Sequence, residues 1–271
     1  MKLLMGSYDN GSTVSDEKAI LLSFQSQSRA IYQQERHERN IAYGDSAREV
    51  FDWFYSPNEY QGTLIFIHGG YWQWCDKEDF AFIAKNPLAS GFDVALVEYG
   101  LAPSTTLMGI SQQIGMALDA IEQRIKQRDE KPVYLVGHSA GGHLAALWQH
   151  HSCVQAVFPI SGIFELQPLI ASEVNRNLQL TRQQIEELSP ARHIPLTAKP
   201  ICLFYGAEEL PELIGQSRYY YSMLQNKGGP VSLCSVPGAN HFSVLEILFS
   251  AESALYRQWL AYGETTDEKY H

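Results

Sequence analysis

The chain has 271 residues, 45% hydrophobic and 18% charged, and 20 basic against 30 acidic side chains leave a formal net charge of −10. That acidic balance excludes the basic footprint of a nucleic-acid binder, and no apolar run approaches membrane-spanning length. Length and composition fit one soluble α/β domain over residues 1–271.

Four cysteines, Cys75, Cys153, Cys202 and Cys234, show no CxxC or other zinc-like spacing, so no metal is expected. The last three lie in or beside apolar runs, where a reduced thiol packs as a small hydrophobe. Met1-Lys2-Leu3-Leu4-Met5 turns polar at Gly6-Ser7, too early for a signal-peptide apolar region, and the expected location is the cytoplasm.

In chain order, the segment 16–45 opens with a helical pattern to about residue 40. Ile20, Phe24 and Ile31 share one face there, and Arg36, Glu38 and Arg39 stay solvated. A strand is expected over 49–55, a buried strand over 63–67, a helix over 78–88 and a strand over 93–98. Leu107, Ile110, Ile114, Leu118, Ile121 and Ile125 recur every three or four residues and mark an amphipathic helix. The apolar run 132–136 leads into a helix over 140–148. Strands over 154–160, 201–205 and 231–236 follow, with helices over 211–225 and 243–260. This alternation predicts a mostly parallel central sheet flanked by helices. It stops over 161–200, which reads as a helical insertion: either a small lid acting with the N-terminal helix or an ordinary surface excursion.

The chemistry concentrates where one strand meets one helix. Gly137-His138-Ser139-Ala140-Gly141 follows Pro132-Val133-Tyr134-Leu135-Val136, a G-x-S-x-G elbow that lifts a serine hydroxyl above the sheet. Chain passes so close at the flanking positions that only glycine fits. A serine nucleophile needs a base, and the base needs an orienting acid. His241, in Pro237-Gly238-Ala239-Asn240-His241-Phe242 between the last strand and last helix, is the candidate base. For the acid, Glu208 and Glu209 follow the strand ending at Gly206; Glu209, three positions on, is preferred and Glu208 is the alternative. Glycines in His68-Gly69-Gly70-Tyr71-Trp72 let backbone N–H groups turn toward an oxyanion. The N–H of Ala140, after the nucleophile, is a further donor.

His68-Gly69-Gly70-Tyr71-Trp72-Gln73 resembles the HGGxW motif of kynurenine formamidases (arylformamidases), α/β-hydrolases close to the hormone-sensitive-lipase-like esterases. Matching segments follow in order: Glu98-Tyr99-Gly100-Leu101-Ala102-Pro103, Gly137 to Leu144, Ser161-Gly162-Ile163-Phe164-Glu165-Leu166 and Asn240-His241-Phe242. The resemblance runs from about Thr63 to Phe242. It implies the α/β-hydrolase fold, a triad of Ser139, an acid and His241, and an oxyanion hole from the N–H groups of Gly70 and Tyr71 with Ala140. One departure stands out: Gly206-Ala207-Glu208-Glu209-Leu210-Pro211-Glu212 carries glutamate where the family has aspartate.

The expected reaction is transfer of a small acyl group to water through an acyl-enzyme, from an aryl formamide of the N-formylkynurenine type or from an ester, without cofactor or metal. A general short-chain carboxylesterase is the first alternative, and a non-catalytic ligand-binding relative the second. Tyr71, Trp72 and Trp74 are aromatic candidates for the substrate pocket, Trp72 among them as a binding residue. Arg176 and Arg182 are candidates to meet a substrate carboxylate. The expected partner is a small-molecule acyl substrate, with neither nucleic acid nor membrane; a homodimer is an option.

Overall fold

A computed structural model describes residues 8–195, 199–251, 253 and 257. Residues 1–7, read above for a leader, lie outside them, as does most of the stretch 252–260 expected to continue the last helix. The strands in chain order are β1 (His37–Ala42), β2 (Val50–Phe54), β3 (Gly62–Ile67), β4 (Phe92–Val97), β5 (Val133–His138), β6 (Ala156–Ile160), β7 (Ile201–Gly206) and β8 (Val231–Val236). The α-helices are α1 (Glu17–Gln34), α2 (Lys85–Ala89), α3 (Leu107–Ile125), α4 (Ala140–Leu147), α5 (Asn175–Leu178), α6 (Arg182–Leu188), α7 (Pro211–Asn226) and α8 (Ser243–Leu248).

The strands form one sheet in the order β1-β2-β4-β3-β5-β6-β7-β8. Pairing is antiparallel at β1–β2 and β2–β4 and parallel from β4 onward. Both faces are covered, so the central strands are apolar at nearly every position rather than alternating. In β3, Leu64 and Phe66 pack to one side and Ile65 and Ile67 to the other, all at most 1% exposed. One face carries α3, α4 and α7; the other carries α1, the segment 77–89 and α8. The α3 stripe anticipated from spacing is buried at Leu107, Ile110, Ile114, Leu118 and Ile121. Each such side chain contributes roughly 1.5–3 kcal/mol by leaving water.

Two expectations from the pattern are corrected. The helix read to residue 40 ends at Gln34, and residues 37–42 form an antiparallel edge strand. Its sequence, His-Glu-Arg-Asn-Ile-Ala, is polar because an edge strand faces water. A bulge with Asn40 at φ 54° interrupts its register, pinned by the Asn40 N–H donating to Asp52 Oδ1 at 2.7 Å. The helix read over 78–88 is a 3-10 segment, Lys77–Ala84, continuing into the short α2. Phe80, Ala81, Phe82, Ile83 and Ala84 are all buried, so this stretch is surrounded by core rather than laid on it by one stripe.

The register brings four loops together. Ile67 lies beside Gly137, His138 beside Ile160, and Gly206 beside Val236. The loops after β3, β5, β7 and β8 therefore leave the same C-terminal edge of the sheet, where α/β folds place their ligands.

Candidate active site

Ser139 sits between β5 and α4 at φ 56°, ψ −116°, a strained conformation for a residue with a Cβ. Backbone bonds hold it there: its N–H donates to Ile160 O at 2.8 Å and its carbonyl accepts from His143 N at 3.1 Å. The elbow glycines are required by contact. A Cβ on Gly137 would meet Gly141 O at 2.0 Å, and one on Gly141 would meet Ile67 O at 2.0 Å. Gly69 passes Ser139 closely, its would-be Cβ 3.1 Å from Ser139 Cβ.

His241 reaches the site on the loop between β8 and α8. Asn240 shapes that loop, its Oδ1 accepting the N–H groups of Phe242 and Ser243 at 2.9 Å each. His241 Nδ1 lies 3.2 Å from Glu209 Oε2. Glu209 is 6% exposed, and its Oε1 accepts from Gly206 N at 2.6 Å and from Ser161 Oγ at 2.5 Å. Glu208 points to solvent. A Cβ on Gly206 would meet Ala239 O at 2.3 Å, so the acid loop and the histidine loop are packed backbone to backbone.

On the loop after β3, Gly70 has φ 108°, and Tyr71 and Trp72 follow at 49° and 60°. The Gly70 carbonyl accepts from Gln73 N and Trp74 N at 2.9 Å each. In a trans peptide C=O and N–H point opposite ways, so the Tyr71 N–H faces away from that turn. Among the described residues, neither the Gly70 nor the Tyr71 N–H donates to a backbone carbonyl. Ala140 opens α4, where N–H groups have no intrahelical acceptor.

A cavity of about 780 Å³ collects these groups: Gly70, Tyr71, His138, Ser139 and His241 all line it. Two places contribute to its wall, the N-terminal segment and the insertion after β6 that the sequence offered as a lid or a surface excursion. Tyr71 Oη donates to Tyr8 O at 2.6 Å and accepts from Asn10 Nδ2 at 3.0 Å, tying the N-terminal segment over the cavity. Gln73 Nε2 donates to Val174 O and Asn177 Nδ2 to Gln73 Oε1, both at 2.9 Å, stitching the insertion to the same loop.

Not every predicted residue lies where the sequence placed it. Trp72 does not line the cavity: it is fully buried, its ring edge-on to His143 at 5.0 Å. The left-handed pair at Tyr71 and Trp72 turns its indole into the core, and Tyr71, Gln73 and Trp74 take the wall instead. Arg176 borders the cavity but is 77% exposed and paired with Glu173; Arg182 is not on the wall. Lys18 is a second cation on that wall.

Two residues were missed as parts of the site. Ser161, at φ 52°, holds Glu209. His138 lies beneath the histidine loop, its Nε2 2.9 Å from the His241 carbonyl. Burial, then the neighbouring His241, holds the His138 pKa well below the ordinary imidazole value, so it is neutral and donates from Nε2. Both stand inside motifs quoted above, but their roles rest on contacts made only on folding. The thiol of Cys75, also on the wall, is pushed up to about 12 by burial and then by Asp79 and Asp76, and stays protonated. Among the described residues no group of three or more His, Cys, Asp or Glu side chains is placed to hold a metal ion.

The chain is similar to known proteins over most of its length. A BD-FAE family model matches residues 54–158. The kynurenine formamidase of Salmo salar is 30% identical over 230 residues, 79% of this chain and 77% of that protein. The chain belongs to the kynurenine formamidase family. More distant family kin include the isoprenylcysteine alpha-carbonyl methylesterase of Arabidopsis thaliana, 25% identical over 75% of this chain and 56% of that one. A solved structure from Silicibacter sp., provisionally named a thioesterase, superposes with a TM-score of 0.85 at 26% identity, covering 93% of this chain and 96% of its own. The protein is a hydrolase with the α/β-hydrolase fold. Among the described residues no helix is long and apolar enough to cross a membrane.

Proposed function

We propose that this hydrolase uses a Ser139–His241–Glu209 triad to release a small acyl group from an aryl formamide of the N-formylkynurenine type. One observation carries the reading: the His241 imidazole is held through Nδ1 by a buried carboxylate, while the same ring and Ser139 line one cavity. With Nδ1 committed to Glu209, Nε2 is the nitrogen left to take the Ser139 proton as Oγ attacks the carbonyl. Glu209 stabilises the imidazolium that forms. The N–H groups of Gly70, Tyr71 and Ala140 receive the oxyanion, where each donor is worth roughly two to three powers of ten in rate. His241 then protonates the leaving amine, and water releases the acyl group by the same steps. An aryl amine is weakly basic and leaves more readily than an alkyl amine, so a serine apparatus suited to esters can cleave this amide.

The kynurenine formamidase relatives support a place in tryptophan catabolism; we place the reaction in the cytoplasm, with the segment 16–45 and the insertion 161–200 supplying a lid. A short-chain carboxylesterase is the second reading, favoured by a cavity of about 780 Å³, far larger than a formyl group needs. Comparing kcat/KM on N-formylkynurenine and p-nitrophenyl acetate separates the two. The formamide is expected to be a good substrate; turnover of esters alone overturns the formamidase reading.

A further inference from the structure

Behind the oxyanion loop lies a chain of polar and charged groups, exposed at Asp76 and buried at Glu98 and His68, that the triad does not use. His68 is fully buried, its ring stacked on Tyr99 with centroids 4.3 Å apart and on Phe80 at 5.9 Å. Its Nδ1 lies 2.8 Å from Gly69 O and its Nε2 lies 3.0 Å from Glu98 Oε1. A carbonyl oxygen only accepts, so Nδ1 carries a proton. Glu98 Oε1 already accepts from Arg48 Nη2 at 2.5 Å and from Tyr99 N at 3.0 Å, and Oε2 accepts from Lys77 N at 2.9 Å. With Arg48 and Tyr99 already donating to it, Oε1 has no place for the hydroxyl proton that an unprotonated His68 Nε2 would have to accept. Burial pushes the Glu98 carboxyl up, but His68 and Arg48 outweigh it and hold it below the usual carboxylate range. Both ring nitrogens of His68 therefore face acceptors. Asp76, Arg48 and Glu98 alternate in charge along a chain that ends at His68, with Arg48 Nη1 2.6 Å from Asp76 Oδ1.

We infer that His68 is a doubly protonated imidazolium, balanced by Glu98, that aims and polarises the oxyanion hole through the Gly69–Gly70 peptide. The carbonyl it holds and the Gly70 N–H belong to the same peptide group and point in opposite directions. Fixing the carbonyl on the ring side fixes the N–H toward the cavity. A charged donor on a carbonyl also draws electron density along the amide and makes its N–H a stronger donor. The aromatic faces of Tyr99 and Phe80 suit a cation between them. Tyr99 Oη donates to the His68 carbonyl at 2.8 Å, so the loop is anchored on both sides of the ring. His68 touches no substrate; it is a positioning residue, and its role rests on the serine-hydrolase reading above.

Two measurements on the whole protein test it. In ¹⁵N-histidine-labelled protein, one residue is expected to show protons on both ring nitrogens at neutral pH, and its signals are expected to vanish in His68→Asn. A ring with one bare nitrogen overturns the inference whatever the activity. The second measurement follows the ¹³C=O stretch of the carbamoyl-enzyme formed from p-nitrophenyl N-methylcarbamate. His68→Asn keeps a neutral amide near the Gly69 carbonyl, so the stretch is expected to rise. kcat is expected to fall about 10-fold with KM little changed, short of the roughly hundredfold or greater loss on deleting an oxyanion donor. Glu98→Gln is expected to shift the stretch the same way. An unshifted stretch in a folded, carbamoylated His68→Asn protein contradicts the inference alone. Failure of the unaltered protein to carbamoylate at Ser139 contradicts the serine-hydrolase reading beneath it.

Discussion

His138 Nε2 donates to the main-chain carbonyl of His241 at 2.9 Å, and the two imidazole rings lie 4.7 Å apart. The residue before Ser139 thus holds the loop that carries His241. The proposed mechanism requires His138 to stay neutral, because a second imidazolium against His241 would oppose the charge His241 is proposed to acquire.

The neutrality has a cost in acid. The His138 pKa is lowered well below its ordinary value by burial and then by His241, and that of His143 is lowered to about 4 by burial. Above about pH 6.5 both rings are neutral folded or unfolded and contribute no pH dependence. Below it the unfolded chain takes up protons that the folded one refuses, so stability falls as pH falls. Each ring accounts for up to about 1.4 kcal/mol per pH unit. Urea unfolding at pH 7.5 and 5.5 is expected to show this loss, and His143→Leu is expected to reduce it. A variant with the same pH slope as the parent refutes the assignment.

Glu209 and Glu208 are adjacent in sequence and unlike in surroundings, one against His241 and the other in solvent. Glu209→Gln is expected to lower kcat by about three to four powers of ten, the scale for a triad acid that loses its charge. Glu208→Gln is expected to stay within about twofold. Ser161→Ala removes a hydroxyl donated to the charged acid, worth roughly 1.5–3 kcal/mol, and is expected to cost at least about tenfold in kcat. Steady-state kinetics on the three variants check the ranking.

Trp72 and Trp74 separate packing from recognition. Trp72 is wholly buried, so Trp72→Ala is expected to lower stability by about 3–5 kcal/mol. Trp74 is 54% exposed and lines the cavity, so Trp74→Ala is expected to leave the melting temperature almost unchanged and to raise KM for aryl substrates. Thermal unfolding and kinetics on both proteins are the check; a stable Trp72→Ala protein contradicts the assignment.

These residues also mark where the sequence was readable. The elbow and the His68-Gly69-Gly70 turn could be read because close backbone approach leaves glycine at fixed spacing, and the α3 stripe because one face meets the sheet. Strand β1 was hidden: an edge strand needs no apolar alternation, and its polar letters looked like a solvated helix end. Trp72 was misplaced because positive φ at two successive non-glycine residues reverses which side chain faces the cavity, and composition does not encode that. His138 and Ser161 were passed over because their partners lie 103 and 48 residues away along the chain.

The N-terminal segment gives a further prediction. Tyr71→Phe removes the hydroxyl that bonds Tyr8 O and Asn10 Nδ2, each bond worth about 1 kcal/mol. Hydrogen exchange over residues 8–13 is expected to quicken and KM to rise several-fold, with kcat little changed. Unaltered exchange there contradicts a roof held by this tyrosine.

The most direct test of the triad is covalent. A fluorophosphonate is expected to add once to the folded protein, with mass spectrometry placing the adduct on Ser139, and labelling is expected to slow by orders of magnitude in His241→Ala. Folded protein that takes no adduct at Ser139, or labels equally fast without His241, contradicts the account.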